Sequence, residues 1–204
     1  MAEISKNMKL IFKSISIAYL INVHNGYIKN DGTIVSPINI KEYPAIKSWL
    51  DSGSWNTKEL GNFERLSKRA DQGITPYNLR SLAYMDDFSK QKIIWSDIAT
   101  EPRFALLGEN LLISNTAYMI TKCHPNVIFI LNSKIMEWYF SKICSDLGSG
   151  TRYFKQFVEM LQLPDLQQHE HFYENLSSNN VEMMLSDLYN FSKKERNILD
   201  LDTI

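Results

Sequence analysis

The sequence of 204 residues predicts an α+β fold, with a mixed or antiparallel sheet packed against a long central helix and a small helical C-terminal tail. Short apolar runs of strand length are concentrated in the middle of the chain, whereas the later part has helical periodicity. The two patterns follow one another without the regular strand–helix alternation that is typical of parallel α/β sheets. The composition, 44% hydrophobic and 22% charged, is typical of an ordinary globular protein.

The N-terminal part of the chain predicts a strand, a hairpin and a helix. The apolar run from Ile15 to Val23 predicts a buried strand, because polar residues dilute the run and it is too short to cross a bilayer. The segments His24-Asn25-Gly26 and Asn30-Asp31-Gly32 predict turns, and the second is typical of a hairpin. Residues 43–50 predict a short helix with proline in its first turn, and residues 57–69 predict another helix.

The middle of the chain predicts a sheet. Its apolar runs are short, rich in β-branched and aromatic residues, and separated by turn residues such as Gly108-Glu109-Asn110. Trp95 lies in the first of these runs, where a core position is favoured over a base-stacking role. The predicted strands are Lys92 to Ile98, Phe104 to Leu107, Leu111 to Ser114 and Ala117 to Thr121.

The remaining segments predict helices of different lengths. The longest is predicted from Pro125 to about Leu147, with Gly148 as its C-terminal cap. A shorter helix is predicted over residues 153–161, followed by a polar, irregular stretch over residues 165–180.

Two small helices are predicted in the tail, over residues 181–189 and 193–201. Ser192 and Glu195 have the spacing of a capping box at the start of the second helix. We therefore predict a main domain over residues 1–164 and an acidic helical tail over residues 165–204, which packs on that domain or on a partner.

The charge is distributed unevenly, although the net charge is only −1. Residues 1–155 contain 19 Lys and Arg and 14 Asp and Glu, whereas residues 156–204 contain 3 and 9. A moderately basic body followed by an acidic tail is compatible with binding to a polyanion, although two ordinary solvated surfaces give the same asymmetry.

Motifs of common enzymes are missing from these 204 residues. The sequence contains no phosphate-binding loop, no dinucleotide fingerprint, no Gly-x-Ser-x-Gly elbow and no His-Glu-x-x-His. The pairs His169/His171 and Asp86/Asp87 favour a solvated loop and a turn over metal binding. Cys123 and Cys144 are too few and too far apart for a disulfide framework, so we expect reduced thiols in a cytoplasmic protein.

The most informative segment runs from Lys68 to Arg80. Basic, amide and aromatic side chains alternate there around Gly73 and Pro76, which is unfavourable for a core helix but typical of a polar surface that contacts phosphates and base edges. Residues 151–155, after the Gly-rich segment, combine hydroxyl, cationic and aromatic side chains in a similar way, although a solvated loop explains them equally well.

Four blocks, in this order, carry a resemblance to a known family. The first is Leu20-Ile21-Asn22-Val23-His24-Asn25-Gly26 with Tyr43-Pro44-Ala45-Ile46-Lys47, and the second is Arg69-Ala70-Asp71-Gln72-Gly73-Ile74-Thr75-Pro76-Tyr77-Asn78-Leu79-Arg80. The third is Ile130-Leu131-Asn132-Ser133-Lys134, and the fourth is Gly150-Thr151-Arg152-Tyr153-Phe154-Lys155 leading to Leu163-Pro164. Together they resemble the TaqI-like C-terminal specificity domain, the target-recognition part of adenine-N6 DNA methyltransferases and of fused type II restriction–modification enzymes.

The resemblance implies sequence-specific recognition of double-stranded DNA without catalysis by this chain. The catalytic Asn-Pro-Pro-Tyr/Phe motif and the S-adenosylmethionine loop of such methyltransferases do not occur in the 204 residues. We therefore expect a fragment, a separate subunit or a remnant that is not itself an enzyme, with S-adenosylmethionine and Mg²⁺ belonging to another domain. The expected partners are duplex DNA and a methyltransferase or nuclease domain or subunit, with no membrane. The alternative is a module that docks such a subunit through the acidic tail and an exposed Tyr173.

The predicted interface is a cationic groove formed by the loops near residues 70–80 and 150–155. Phosphate contacts are predicted for four cations, and base readout for two arginines and two amides. Tyr77, Thr151 and Tyr153 are also predicted to contact DNA. The phosphate-contacting residues are Lys68, Arg69, Lys92 and Lys155, and the base-reading residues are Gln72, Asn78, Arg80 and Arg152. A less favoured site for an unrecognised activity combines His24, Asp86 and Asp87.

Overall fold

The computed structural model describes residues 20–52, 66–80, 84–148 and 150–201. The described residues form two compact units, one within residues 16–89 and one within residues 90–204. The domain boundary that the sequence predicted after residue 164 stays a prediction. Each unit is described by itself below.

The first unit begins with an irregular segment and a hairpin. Residues 20–23, the described part of the strand predicted over residues 15–23, are not in a strand, so that prediction is wrong there. Strands β1 (Tyr27–Ile28) and β2 (Ile34–Val35) form the predicted antiparallel hairpin. Gly32 has a φ of +86° in its turn, a conformation that glycine adopts without steric cost.

A short helix follows the hairpin in the first unit. Helix α1 (Pro44–Ser52) follows a 3₁₀ helix over Ile40–Glu42, which confirms the helix predicted with Pro44 in its first turn. The small core consists of Val23, Ile40, Leu50 and Leu66. The helix predicted over residues 57–69 lies largely outside the described residues.

The second unit contains a three-stranded antiparallel sheet in the order β5–β3–β6. Its strands are β3 (Lys92–Ser96), β5 (Phe104–Leu107) and β6 (Ala117–Thr121), and strand β4 (Ile98–Ala99) follows β3 in a different sheet. Ile93 and Trp95 on one face of β3 belong to the main core, whereas Ile94 on the other face packs with Ala105 and Leu107. The strand periodicity therefore produces two buried faces.

Residues 111–114 are not in a strand, contrary to the prediction. The backbone carbonyl of Leu111 accepts a hydrogen bond from Lys92 Nζ at 3.2 Å, and Ile113 packs against the second face of the sheet. Ile113 therefore covers that face of the sheet, whereas Leu111 and Leu112 are exposed.

The predicted long helix is instead two helices, α2 (Val127–Leu131) and α3 (Lys134–Ile143). The helix is interrupted at Asn132-Ser133, two residues whose side chains compete with helical backbone hydrogen bonds. The Asn132 side chain bonds both the N–H and the C=O of Phe104, at 2.8 and 2.9 Å. Ser133 Oγ accepts a hydrogen bond from Met136 N at 3.1 Å and caps α3.

Gly148 is not a helix cap, because α3 has already ended at Ile143. The glycine has a φ of +76° in the turn that joins strands β7 (Ser145–Asp146) and β8 (Thr151–Arg152). These strands pair with β4 in the antiparallel order β4–β8–β7. Helices with antiparallel sheets confirm the predicted α+β class.

The acidic tail is part of the core of the second unit. Helices α4 (Lys155–Glu159), α5 (Glu170–Asn175), α6 (Val181–Leu188) and α7 (Lys193–Ile198) follow β8, and the presence of α5 corrects the prediction that residues 165–180 are irregular. The predicted capping box of Ser192 and Glu195 is confirmed. Tail side chains packed in the same core cluster as Phe104 and Ile130 are Tyr173, Leu176, Val181 and Leu185.

Tyr173 is only 2% exposed, so the prediction of an exposed tyrosine available to a partner is wrong. Its hydroxyl donates a hydrogen bond to the backbone carbonyl of Pro164 at 2.5 Å. Burial raises the pKa of Tyr173 to about 12. None of the helices in the described part of the chain is long and apolar enough to span a membrane.

Candidate nucleic-acid interface

The segment of residues 66–80, called the recognition loop below, is folded tightly on itself. Gln72 and Leu79 form an isolated antiparallel bridge, and Gly73 N donates to Asn78 O at 3.0 Å. Between them, Asn78 N donates to Thr75 O at 3.1 Å. The recognition loop therefore has a defined backbone, as a surface that reads DNA requires.

Asn78 supports the recognition loop from inside the first unit. Its side chain is only 1% exposed, and Nδ2 donates to the carbonyl oxygens of His24 and Ile38 at 3.1 and 3.0 Å. The predicted readout of adenine by Asn78 is wrong for this structure, because both amide hydrogens are used inside the protein.

Arg69 and Gln72 also bond the backbone of their own segment. The Arg69 guanidinium donates to the carbonyl oxygens of Pro76 and Asn78 at 3.1 and 2.8 Å. Gln72 Nε2 donates to Ser67 O at 2.5 Å and to Arg69 O at 2.9 Å. Both side chains are half-buried, so the structure gives them a role in supporting the loop. The sequence had instead predicted that they contact DNA.

Tyr77 is held by a pair of charged residues on helix α1. Its hydroxyl donates to Asp51 Oδ1 at 2.6 Å, and Lys47 Nζ lies 5.3 Å from the centre of its ring. Burial raises the pKa of Tyr77, and the hydrogen bond from Lys47 lowers the pKa of Asp51. Tyr77 thus connects the recognition loop to the helix.

Several side chains of the recognition loop are exposed, and Lys68, Ile74 and Arg80 among them are suitable for contact with a large ligand. Lys68 and Arg80 are the exposed cations, and Ile74 lies at the tip between them in sequence. Of the predicted phosphate and base contacts in this segment, Lys68 and Arg80 are therefore the accessible ones.

Asn25 fixes the tip of the recognition loop, a role that was not predicted from the sequence. Asn25 Oδ1 accepts a hydrogen bond from Ile74 N at 2.7 Å. A Cβ at Gly73 would lie 2.5 Å from the same oxygen, so glycine permits the close approach. The signal was present in the sequence, because the first resemblance block includes Asn25 and the second includes Gly73.

The second predicted DNA-contacting segment, residues 150–155, belongs to the second unit. Leu147 N donates to Gly150 O at 2.8 Å and closes the turn between β7 and β8. A Cβ at Gly150 would lie 3.2 Å from the Ile98 side chain, so β8 packs closely on β4. Thr151 and Arg152 form strand β8 and are half-buried.

Arg152 is positioned by an aromatic ring and a carboxylate. Its guanidinium carbon lies 4.8 Å from the centre of the Phe154 ring, and Nε lies 3.9 Å from Asp97 Oδ1. The Arg152 side chain is 36% exposed. Stacking on a ring orients the planar guanidinium, which suits contact with a base or phosphate.

Tyr153 is buried, unlike its predicted role at the interface. It is 4% exposed, and its backbone accepts a hydrogen bond from Trp95 Nε1 at 2.8 Å. Trp95 is a core residue, as the sequence predicted. The alternation along residues 151–154 places Tyr153 in the core, since neighbouring side chains of extended backbone point to opposite sides.

The two lysines predicted to contact phosphates from the second unit have opposite environments. Lys92 is only 1% exposed, Nζ donates to the carbonyl oxygens of Gly108 and Leu111, and burial lowers its pKa. Its predicted phosphate contact is therefore wrong for this structure. Lys155 is exposed and forms a 3.0 Å ion pair with Glu159, one turn along α4.

The residues of the less favoured catalytic site have structural partners. His24 Nδ1 accepts a hydrogen bond from Gly26 N at 3.2 Å. Asp86 Oδ2 accepts hydrogen bonds from Asn30 N at 3.1 Å and from Asn30 Nδ2 at 2.7 Å. Within residues 20–52, 66–80, 84–148 and 150–201, no three His, Cys, Asp or Glu side chains are grouped so that they could hold a metal ion.

A family model for the TaqI-like C-terminal specificity domain matches residues 32–164. The chain belongs to this family. The match includes the recognition loop and the β7–β8 turn, and it confirms the resemblance drawn from the sequence. It supports a target-recognition domain of enzymes related to restriction–modification systems. None of the curated proteins compared with the chain matches it.

Proposed function

We propose that this chain is a sequence-specific target-recognition module for double-stranded DNA in a restriction–modification system of the adenine-N6 methyltransferase type. The observation that carries the proposal is the specificity-domain match over residues 32–164, which covers most of the chain and every predicted DNA-contacting residue. A specificity domain needs a firmly folded surface with accessible cations and hydrogen-bond donors, and both units contain such side chains.

The accessible residues suggest a division of roles. Lys68 and Lys155 are exposed point charges suited to phosphate contact, which fixes the position of the protein on the duplex. Arg80 and Arg152 have the fork of donors that pairs with two acceptors on a guanine edge. Thr151 lies beside Arg152 on β8 and offers a hydroxyl.

The chemistry of modification or cleavage is assigned to another domain or subunit. The Asn-Pro-Pro-Tyr/Phe motif does not occur in the 204 residues, and the candidate catalytic side chains are engaged in turns. In this proposal the chain itself is not an enzyme, and S-adenosylmethionine and Mg²⁺ act in the catalytic part. We place the assembly in the cytoplasm, where reduced thiols are stable.

The proposal is tested by fluorescence titration with a randomised duplex pool at about 50 and about 200 mM salt, since phosphate contacts release counterions. We expect binding that weakens steeply with salt. Arg80→Ala and Arg152→Ala should weaken binding, whereas exposed Lys194→Ala, outside the family match, should not. Affinity that does not change with salt, or an equal effect of all three substitutions, would contradict the proposal.

A second candidate function is docking of a separate methyltransferase or nuclease subunit. Exposed apolar side chains on the acidic tail, Met183 and Ile198, favour it. Removal of these two side chains should then weaken co-purification with a co-expressed catalytic subunit and leave DNA binding unchanged. The reverse result would favour DNA recognition as the main role.

A further inference from the structure

The tip of the recognition loop presents an apolar side chain to solvent. Ile74 is 68% exposed, although the nearby polar residues Gln72 and Asn78 are half-buried and buried. Solvent exposure of a branched aliphatic side chain contributes nothing to folding stability, because the gain from burial is lost. At a position whose backbone is fixed, such a residue is available for contact with another molecule.

The backbone on both sides of Ile74 is fixed by hydrogen bonds. Its own N–H donates to Asn25 Oδ1 at 2.7 Å, and the preceding Gly73 N donates to Asn78 O at 3.0 Å. On the other side, the carbonyl of Pro76 accepts from the Arg69 guanidinium at 3.1 Å. The tip is therefore held in one conformation before any ligand binds, which reduces the ordering cost of binding.

The side chain itself is also stiff. Isoleucine is branched at Cβ and has few accessible χ1 rotamers. With a fixed backbone below it, Ile74 offers a methyl surface whose position is well defined. Such a surface can discriminate between ligands that differ by a single methyl group, which a mobile side chain does poorly.

The charges of the recognition loop favour a polyanion as the ligand. Lys68 and Arg80 are exposed, and Arg69 in the same segment is half-buried. Asp71 is the exposed carboxylate of the loop, so the segment is cationic on balance. A membrane surface or an apolar peptide would need a larger apolar patch than one isoleucine.

We propose that Ile74 is a specificity-determining residue that contacts the 5-methyl group of a thymine in the major groove. This inference rests on the proposed function. The thymine methyl is the apolar group that a base edge presents in that groove, and aliphatic side chains recognise it by direct contact. Lys68 contacts phosphate and holds the loop at the groove, while Ile74 selects thymine over cytosine at one position.

The test uses the full chain and duplexes selected from a randomised pool. Each thymine of the selected site is replaced by uracil, which removes only the methyl group. Burial of one methyl corresponds to about a fourfold change in affinity. We expect one thymine whose replacement by uracil lowers the affinity of the wild type about fourfold. The same replacement should leave the affinity of Ile74→Ala unchanged and should affect Ile198→Ala as it affects the wild type.

Ile198 is a matched control because it has the same exposure, 68%, and lies outside the family match. Circular dichroism spectra that superimpose show that the substitutions leave the fold intact. If uracil affects Ile74→Ala and wild type equally, or if the selected site has no thymine sensitive to uracil, this inference is overturned and DNA recognition stands. If no duplex is selected, both proposals are overturned.

Discussion

The carboxylate of Glu182 caps the first turn of the helix that begins at Lys134. Lys134 N donates to Glu182 Oε1 at 2.5 Å, and the next amide, Ile135 N, lies 3.4 Å from Oε2. Glu182 is buried on helix α6, so this acidic residue of the tail is part of the core of the second unit. A negative charge at a helix N-terminus is favourable because unpaired amides and the helix dipole both face it.

We expect Glu182→Ala to lower the free energy of unfolding by about 1 to 3 kcal/mol, because two amides lose a buried acceptor. Urea denaturation followed by circular dichroism measures the change. Glu170→Ala removes an exposed tail carboxylate and should change stability by less than about 0.5 kcal/mol. Equal effects of the two substitutions would show that Glu182 has no capping role.

Asn78 is expected to act on stability and not on base recognition. Asn78→Ala leaves the carbonyl oxygens of His24 and Ile38 without their amide donor, at a cost of about 1 to 3 kcal/mol. Asn22→Ala, an exposed position in the same unit, is the control and should be nearly neutral. A stable Asn78→Ala protein with a changed DNA preference would contradict the supporting role.

Gly73→Ala tests the close contact below the tip of the recognition loop. The added Cβ would meet Asn25 Oδ1 at 2.5 Å and the Leu79 carbonyl oxygen at 2.6 Å, so the loop must move. We expect a loss of about 1 to 3 kcal/mol in stability together with weaker DNA binding. Gly108→Ala is the matched control, since nothing lies within 4 Å of its Cβ position. Thermal unfolding with a parallel DNA titration measures both effects.

The thiol of Cys144 should make stability depend on pH in the alkaline range. Burial raises the pKa of Cys144 to about 11, from an ordinary value of 9.0. Above about pH 9 the unfolded chain releases this proton while the folded chain retains it, so the contribution of Cys144 to stability falls as pH rises towards 11.

Denaturation of wild type and Cys144→Ala at a series of pH values isolates this contribution. As the pH rises from about 8 to about 10.5, the free energy of unfolding of the wild type should fall relative to that of Cys144→Ala. Labelling of Cys144 by a thiol reagent should also be slow at neutral pH, because little thiolate is present. A pH-independent difference would show that the thiol titrates normally.

Local patterns were enough to predict several elements. The Asn30-Asp31-Gly32 turn, the helix starting at Pro44 and the Ser192–Glu195 capping box are confirmed because each depends on residues a few positions apart. Strands β5 and β6 were predicted with their observed bounds, since apolar runs between turn residues indicate them directly.

Other predictions were wrong because a distant partner decided the outcome. The long apolar helix is interrupted at Asn132, because the Asn132 side chain bonds the backbone of Phe104, 28 positions earlier in the sequence. Leu111 lies outside the sheet, and its carbonyl bonds the Lys92 ammonium. No periodicity within a helix or strand contains that information.

The predictions for the interface also divide into those that residue type and order support and those that depend on distant contacts. In the two segments to which the resemblance pointed, Lys68, Arg80, Arg152 and Lys155 have accessible or partly accessible side chains, and their contact with DNA stays a prediction. The cationic groove that would combine both segments stays a prediction.

The sequence by itself determined the family, the α+β class and the two segments rich in cations and amides, because these depend on residue type and order. Only the tertiary structure decided which polar side chains face solvent. Asn78 and Lys92 are inside because backbone carbonyls from remote segments need donors, whereas Arg80 and Ile74 remain outside. Burial is a property of the packed chain, since a side chain is removed from water only by what other segments place over it.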